Sequence, residues 1–209
     1  MAKVLLINGS PRKNGNTHLA LMEIAKTLEQ QDCTTEIAWI GNKPIRGCIA
    51  CGTCKRLGNG RCVFGDDICN EIIEKINGAD ALVVGSPVYY GQPAGQTLAL
   101  LQRALFAGAE LTDKPTAALC VCRRGGATAA FQTLQMPFQM VNAPLVTSQY
   151  WNIIYGREEG EAAFDAEGLQ TLRQLARNMA WMLRAFAQVP EKPEHEEWIS
   201  THFIRPAQE

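Results

Sequence analysis

Eight cysteines occur in 209 residues, and four of them crowd into one stretch. Cys48, Cys51 and Cys54 stand three residues apart, and Cys62 follows beyond Gly58-Asn59-Gly60, giving C-x2-C-x2-C-x7-C. Three thiols at this spacing in a Gly-containing loop can face one centre, and the fourth can close the shell. The first spacings match the ferredoxin-type run that ligates an iron–sulfur cluster, although the last gap is longer and Val63 stands where ferredoxins have proline. From Gly41 to Gly65 the charged residues are Lys43, Arg46, Lys55, Arg56 and Arg61, with no Asp or Glu. A four-thiolate 4Fe–4S centre is anionic, and such neighbours offset its charge. Two other readings compete. Structural zinc takes four thiolates but usually from two well-separated pairs. Disulfides suit an oxidising compartment, and Met1-Ala2-Lys3 running straight into a strand pattern is read as no signal peptide.

A second stretch carries anion chemistry. Val4-Leu5-Leu6-Ile7 reads as a strand buried on both faces. It runs into Asn8-Gly9-Ser10-Pro11-Arg12-Lys13-Asn14-Gly15-Asn16-Thr17, after which Thr17, Leu21, Ile24 and Leu28 form a helical stripe. Hydroxyls, amides and backbone N–H groups at a helix start make a phosphate cradle, with Arg12 and Lys13 adding charge. The alternative is an ordinary polar loop. The spacing is neither a P-loop nor G-x-G-x-x-G.

Asn8-Gly9-Ser10-Pro11-Arg12-Lys13, with Gly15-Asn16-Thr17, resembles the FMN-phosphate loop of the flavodoxin-like NAD(P)H-dependent FMN reductase family. The cysteine run resembles that family's iron–sulfur flavoprotein branch, where the last gap varies. The resemblance covers about residues 3 to 130 and is specific in three places. The second is Ser86-Pro87-Val88-Tyr89-Tyr90-Gly91, after the apolar run Ala81–Gly85; in the family this loop lines the isoalloxazine ring. Tyr89 and Tyr90 offer flat apolar faces suited to a ring, and equally to packing on their own domain. The third is Arg123-Arg124-Gly125-Gly126, at the end of a strand over 116–122. The resemblance thus implies FMN contacts from Ser10, Arg12, Lys13, Asn14, Gly15, Asn16, Thr17, Pro87, Val88, Tyr89, Tyr90, Gly91, Arg123, Gly125 and Gly126. It implies a 4Fe–4S cluster on Cys48, Cys51, Cys54 and Cys62. The family often has a Lys early in the next helix and Asp-Arg at its end. Here Gln102-Arg103 stands there without the Lys, and no role is carried over.

The elements that must position these loops follow the α/β alternation. Thr34–Ile40 reads as a second strand and Leu145-Val146-Thr147 as a fifth. Gly65-Asp66-Asp67 reads as the start of a helix bearing Ile68, Ile72, Ile73 and Ile76, with Cys69 in its core face and the aspartates as cap and dipole partner. Cys120 and Cys122 share a face of the fourth strand, and Cys122 reaches the ligand-binding carboxyl end. Pro137 is expected to kink or end a helix carrying Phe131, Leu134 and Phe138. Asp165 is expected to cap a helix to Ala187 with Leu169, Leu172, Leu175, Ala176, Met179, Leu183 and Phe186 inward. The resemblance implies a flavodoxin-like, open, parallel five-stranded sheet in order 2-1-3-4-5, helices on both faces. One domain is expected over 1–188, with the cysteine-rich insertion over 41–65. A C-terminal arm over 189–209, with Trp198, Ile199, Phe203 and Ile204, is expected to pack on another subunit of a homodimer or homotetramer. His18, His195 and His202 read as surface or packing residues.

The net charge of −1 gives no reason to expect nucleic acid or an anionic membrane as partner. No apolar run approaches a membrane span, and the cysteine content suggests a reducing cytoplasm. The expected function is a flavin-dependent oxidoreductase. Electrons pass through a 4Fe–4S cluster and FMN to a small acceptor such as a quinone or oxygen, from ferredoxin or transient NAD(P)H. The alternatives are an NAD(P)H-dependent FMN, quinone or azo reductase without a cluster, and a non-enzymatic redox sensor with structural metal.

Overall fold

The structure, a computed structural model, describes residues 1–189, 191–197 and 199. In chain order the elements are β1 (Lys3–Asn8), α1 (Asn16–Glu29), β2 (Thr34–Trp39), α2 (Thr53–Leu57), α3 (Cys69–Asn77), β3 (Ala81–Tyr89), β4 (Gln92–Pro93), α4 (Gly95–Ala107), β5 (Thr116–Cys122), α5 (Ala127–Met140), β6 (Ile153–Tyr155), a 3-10 turn (Glu161–Phe164) and α6 (Ala166–Gln188). Five parallel strands lie in the order β2-β1-β3-β5-β6, and β4 pairs antiparallel with the end of β3. Counting only the parallel strands, this is the expected order 2-1-3-4-5, and the fold is flavodoxin-like.

The central strands are apolar at successive positions because both faces are covered. Leu5, Ile7, Leu82, Val84, Ala118, Cys120 and Cys122 join the core under α3, α4 and α5. Their neighbours Val4, Leu6, Ala81, Val83, Ala117, Leu119 and Val121 face α1 and α6. Each burial follows from the period-two alternation of a strand. The helical stripes hold: Thr17, Leu21, Ile24 and Leu28 are buried on α1, and Leu172, Leu175, Ala176 and Met179 on α6. Phe186 stays exposed, one turn beyond the packed part of α6. Asp165 caps α6, accepting from the Gly168 N–H at 2.9 Å.

Several expectations need correction. The fifth strand is not 145–147. Leu145 makes one isolated bridge to Thr116, and the paired strand is Ile153–Tyr155. Asn152 fills the interruption: its Nδ2 donates to the Ala118 carbonyl at 3.0 Å and its own carbonyl accepts from Cys120 N–H. The helix expected at Gly65 begins at Cys69, because Asp67 takes the Cys69 N–H on its side chain at 3.0 Å. Pro137 does not end α5, which continues to Met140. β3 runs four residues beyond Gly85 and folds back through Tyr90-Gly91, both at positive φ (50° and 76°), a tight hairpin rather than an open loop. Trp198, Phe203 and Ile204 of the expected arm lie outside the described residues; Ile199 is 89% exposed.

Candidate flavin cleft and four-cysteine cavity

The loops after β1, β3 and β5 converge at the carboxyl edge of the sheet, where ligands of open α/β sheets bind. A cleft of about 190 Å³ there is lined by Ser10, Arg12, Gly15, Asn16 and Thr17 of the first loop, Pro87, Val88 and Tyr89 of the second, and Arg123 of the third. The first loop is braced from within. Ser10 N–H donates to Asn8 Oδ1 at 3.1 Å, Arg12 N–H donates to Ser10 Oγ at 3.1 Å, and Trp39 Nε1 donates to the Ser10 carbonyl at 2.8 Å. Helix α1 opens on Gly15 with no side-chain cap and no acid in its first turn. Its leading N–H groups and dipole therefore face the cleft uncompensated, which is the donor set a phosphate needs. The second loop is pinned by Ser86, whose Oγ accepts from Ala94 N–H at 2.9 Å. The third touches the second: a Cβ on Gly126, at φ 83°, would stand 2.8 Å from Gly91 Cα.

Other candidates sit around this cleft. Lys13 Nζ lies 5.7 Å over the Trp39 ring, Asn14 is exposed, and Tyr90 is fully exposed at the hairpin tip beside Gly91. Gly125 and Gly126 line a neighbouring cavity of about 380 Å³ with Arg124, Tyr150, Trp151 and Tyr155. The Asn16 side chain is engaged elsewhere: Nδ2 donates to the Glu158 carbonyl at 2.8 Å and Oδ1 accepts from Ala162 N–H at 3.3 Å. Those contacts carry the segment after β6 into the cleft and bring Gly156 and Arg157, which sequence reasoning missed. Their signal, a Gly-Arg pair after a short strand, is hidden because that strand was placed too early. Cys122 does line the cleft, but burial pushes its thiol pKa up. Burial pushes Cys120 up to about 12.

Cys48, Cys51, Cys54 and Cys62 line a second cavity, together with Ile49, Val63, Phe64, Arg103, Phe106 and Ala107. The run bends at Ala50 (φ 52°) and Gly52 (φ 67°), between successive cysteines. Cys54 is buried on α2, whereas Cys48 and Cys51 are exposed. Hydrogen bonds from the Thr53 backbone, then its hydroxyl, lower the Cys51 thiol pKa. Asn70 clamps the far side, accepting from Cys62 N–H at 2.8 Å and donating to the Cys62 and Phe64 carbonyls at 3.0 and 3.1 Å. Gly108 seats the loop on the domain: a Cβ there would meet the Gly60 backbone. Among the described residues, no three His, Cys, Asp or Glu side chains form a group poised to hold a metal ion.

Arg103 is the residue the sequence did not single out. It is 2% exposed and lines the cysteine cavity from α4. Its Nη1 donates to the Arg46 carbonyl at 2.9 Å and its Nη2 pairs with Asp67. Asp67 is thus more than a helix cap. Burial opposes its ionisation, but the Arg103 hydrogen bond, with those from Cys69 and Arg46 N–H, holds its carboxyl pKa below the usual value. The pair fastens both ends of the insertion, at Arg46 and at Cys69. Cys69 is fully buried, and burial raises its thiol pKa against the pull of Arg103.

Residues 2–158 match the NADPH-dependent FMN reductase family. An iron-sulfur flavoprotein of Methanocaldococcus jannaschii is 32% identical over 192 residues, 87% of this chain and 97% of its own. One from Methanosarcina thermophila is 28% identical, over 91% of this chain and all of its own. Among solved structures, RosB with a bound riboflavin-phosphate intermediate superposes with a TM-score of 0.70 at 15% identity, over 99% of this chain and 94% of its own. FerB, an NAD(P)H:(acceptor) oxidoreductase of Paracoccus denitrificans, gives 0.65 at 16%, over 88% and 98%. The chain therefore belongs to the NADPH-dependent FMN reductase family, in its iron–sulfur flavoprotein branch, and is a flavin-dependent oxidoreductase.

Proposed function

We propose that the protein is an iron–sulfur flavoprotein that transfers electrons to a small acceptor such as a quinone or oxygen. The cleft formed by the loops after β1, β3 and β5 holds FMN, and Cys48, Cys51, Cys54 and Cys62 hold a 4Fe–4S cluster. The observation that carries the reading is that four thiols line one cavity backed by a buried guanidinium, in a chain with a phosphate-ready cleft. FMN supplies one- and two-electron exchange and the cluster one-electron exchange.

The chain's own residues do the positioning. The α1 N-terminus, Ser10 and Arg12 bind the phosphate, with the N–H donors fixed in advance by the loop's internal hydrogen bonds. Pro87, Val88 and Tyr89 form one wall and Val121, Cys122 and Arg123 another. No side chain is asked to act as acid or base. At the second site the cavity is small, about 10 Å³. Its outer wall is the irregular segment bearing Cys48 and Cys51, which has no secondary-structure bonds to resist moving outward. Of the nearby cations, Arg46 pairs with Asp66 and Arg61 with Glu74, so Lys55 and Arg103, the latter partly cancelled by Asp67, counter the charge that four thiolates bring together. The α4 rise puts Arg103 about 12 Å along the helix from its start beside the flavin loops. On this reading the cluster exchanges electrons with the flavin of a neighbouring subunit in a homodimer or homotetramer.

A second reading is an NAD(P)H-dependent FMN, quinone or azo reductase without the cluster. It is favoured by the 380 Å³ cavity beside the cleft, whose Tyr150, Trp151 and Arg124 suit a stacked, negatively charged donor. Oxygen-free purification, an absorption spectrum, and assays for iron, sulfide, zinc and FMN decide between them. About four irons per chain with FMN support the first reading. FMN alone, bleached rapidly by NADPH, supports the second. Zinc makes the cysteine loop structural.

A further inference from the structure

Arg103 is buried, yet one of its three kinds of donor has nothing to bond. Nη1 is taken by the Arg46 carbonyl and Nη2 by Asp67. Nε has no partner, and among the described residues it is the one buried side-chain nitrogen or oxygen left so. The guanidinium also has a hydrogen-bonding contact with the buried Cys69 side chain, but a neutral thiol is a weak acceptor and leaves Nε without a partner. Buried N–H groups are nearly always paired, so an unpaired one marks a place where an acceptor belongs. Arg103 also lines the cavity of Cys48, Cys51, Cys54 and Cys62.

We propose that Arg103 is a positioning residue for the cluster: its Nε–H donates to a sulfur in the four-cysteine cavity, and its charge sets the potential at which that site takes up an electron. The inference rests on the cluster reading above. Reduction adds one electron and one negative charge to the cavity, with no bond made or broken. Hydrogen bonds to sulfur and local charge are two of the terms that set such potentials. A directed N–H and a cation at the cavity wall both favour the reduced form. Asp67 has the opposite sign. It lies against the guanidinium at Nη2 and partly cancels its charge. Removing either residue loosens the same clamp, but the electrostatic effects run in opposite directions.

That opposition is the test. The full-length protein and its R103Q, R103K and D67N variants are purified without oxygen and assayed for iron and FMN. Each is then titrated with dithionite while the cluster is followed by electron paramagnetic resonance. R103Q should hold the added electron about tenfold less well, a midpoint about 59 mV lower for a one-electron couple. R103K, which keeps charge but loses the directed N–H, should fall between R103Q and wild type. D67N should shift upward. If R103Q does not retain iron, the opposite signs of R103K and D67N carry the same decision. Equal midpoints in the loaded variants, or shifts of one sign in both R103K and D67N, would reduce Arg103 to a clamp and overturn the inference alone. Wild-type protein without iron would instead remove the cluster reading, and this inference with it.

Discussion

Asn70 and Cys62 exchange two hydrogen bonds: the Cys62 N–H donates to Asn70 Oδ1 at 2.8 Å and Asn70 Nδ2 donates to the Cys62 carbonyl at 3.0 Å. The same amide reaches the Phe64 carbonyl, so one buried side chain on α3 fixes the backbone that carries the fourth cysteine. Truncation to Asn70→Ala leaves these backbone groups without partners, a loss of about 2 kcal/mol. The expected outcome is a lower denaturant midpoint and, in protein made without oxygen, a fall in iron per chain with FMN unchanged. Denaturation curves and parallel iron and flavin assays check it.

On the proposed reading Arg12 and the start of α1 hold the FMN phosphate and not the isoalloxazine ring. Arg12→Ala should weaken FMN binding about tenfold, or about 1.4 kcal/mol, and leave riboflavin binding unchanged. Flavin fluorescence titrations with both ligands measure the contrast. An equal loss for riboflavin would put Arg12 against the ring instead.

Gly126 sits where a side chain has no room. It has φ 83°, and an added Cβ would lie 2.8 Å from Gly91 Cα. Gly126→Ala combines left-handed strain of about 1–2 kcal/mol with a displaced hairpin. FMN affinity should drop by about tenfold or more, while circular dichroism of the helices stays as in wild type.

Thiol chemistry should follow burial. In protein stripped of metal, Cys51 is exposed and its pKa is lowered by Thr53. It should be among the first thiols alkylated at pH 8. Cys120, pushed up to about 12 by burial, should stay unmodified until the chain is unfolded. Peptide mass mapping of a timed iodoacetamide reaction reads the order.

Glu36 gives a pH dependence of known sign. Hydrogen bonds from Lys3, then Lys75, lower its carboxyl pKa from 4.5 in the folded chain. A depressed folded value means its stabilisation is fully present above the unfolded pKa and fades as pH falls through the folded one. The side chain is 31% exposed, so the contribution is screened, about 0.5 kcal/mol. Wild type should therefore exceed Glu36→Gln in stability at pH 7, and the two should converge below pH 4.5. Urea unfolding across that range tests it.

What lay in the sequence was what local pattern encodes. Unbroken apolar runs marked β1, β3 and β5, because a strand covered on both faces has no polar position. The polar turn into α1 and the crowded cysteines stood out because phosphate and metal binding, the chemistries proposed for them, call for those residue types close together in the chain. The structure alone decided what depends on distant pairing. Arg103 and Asp67 are 36 residues apart, and no local spacing announces that they meet. Asn152 breaks the edge of the sheet, so the fifth strand lies at 153–155 and delivers Gly156 and Arg157 to the cleft. The spacing of Cys48 to Cys62 raised the expectation of a ligand set, but the guanidinium behind them was set by how α4 packs. Burial and charge partners come from contacts closed only when the chain folds, and such contacts leave no period in the sequence to read.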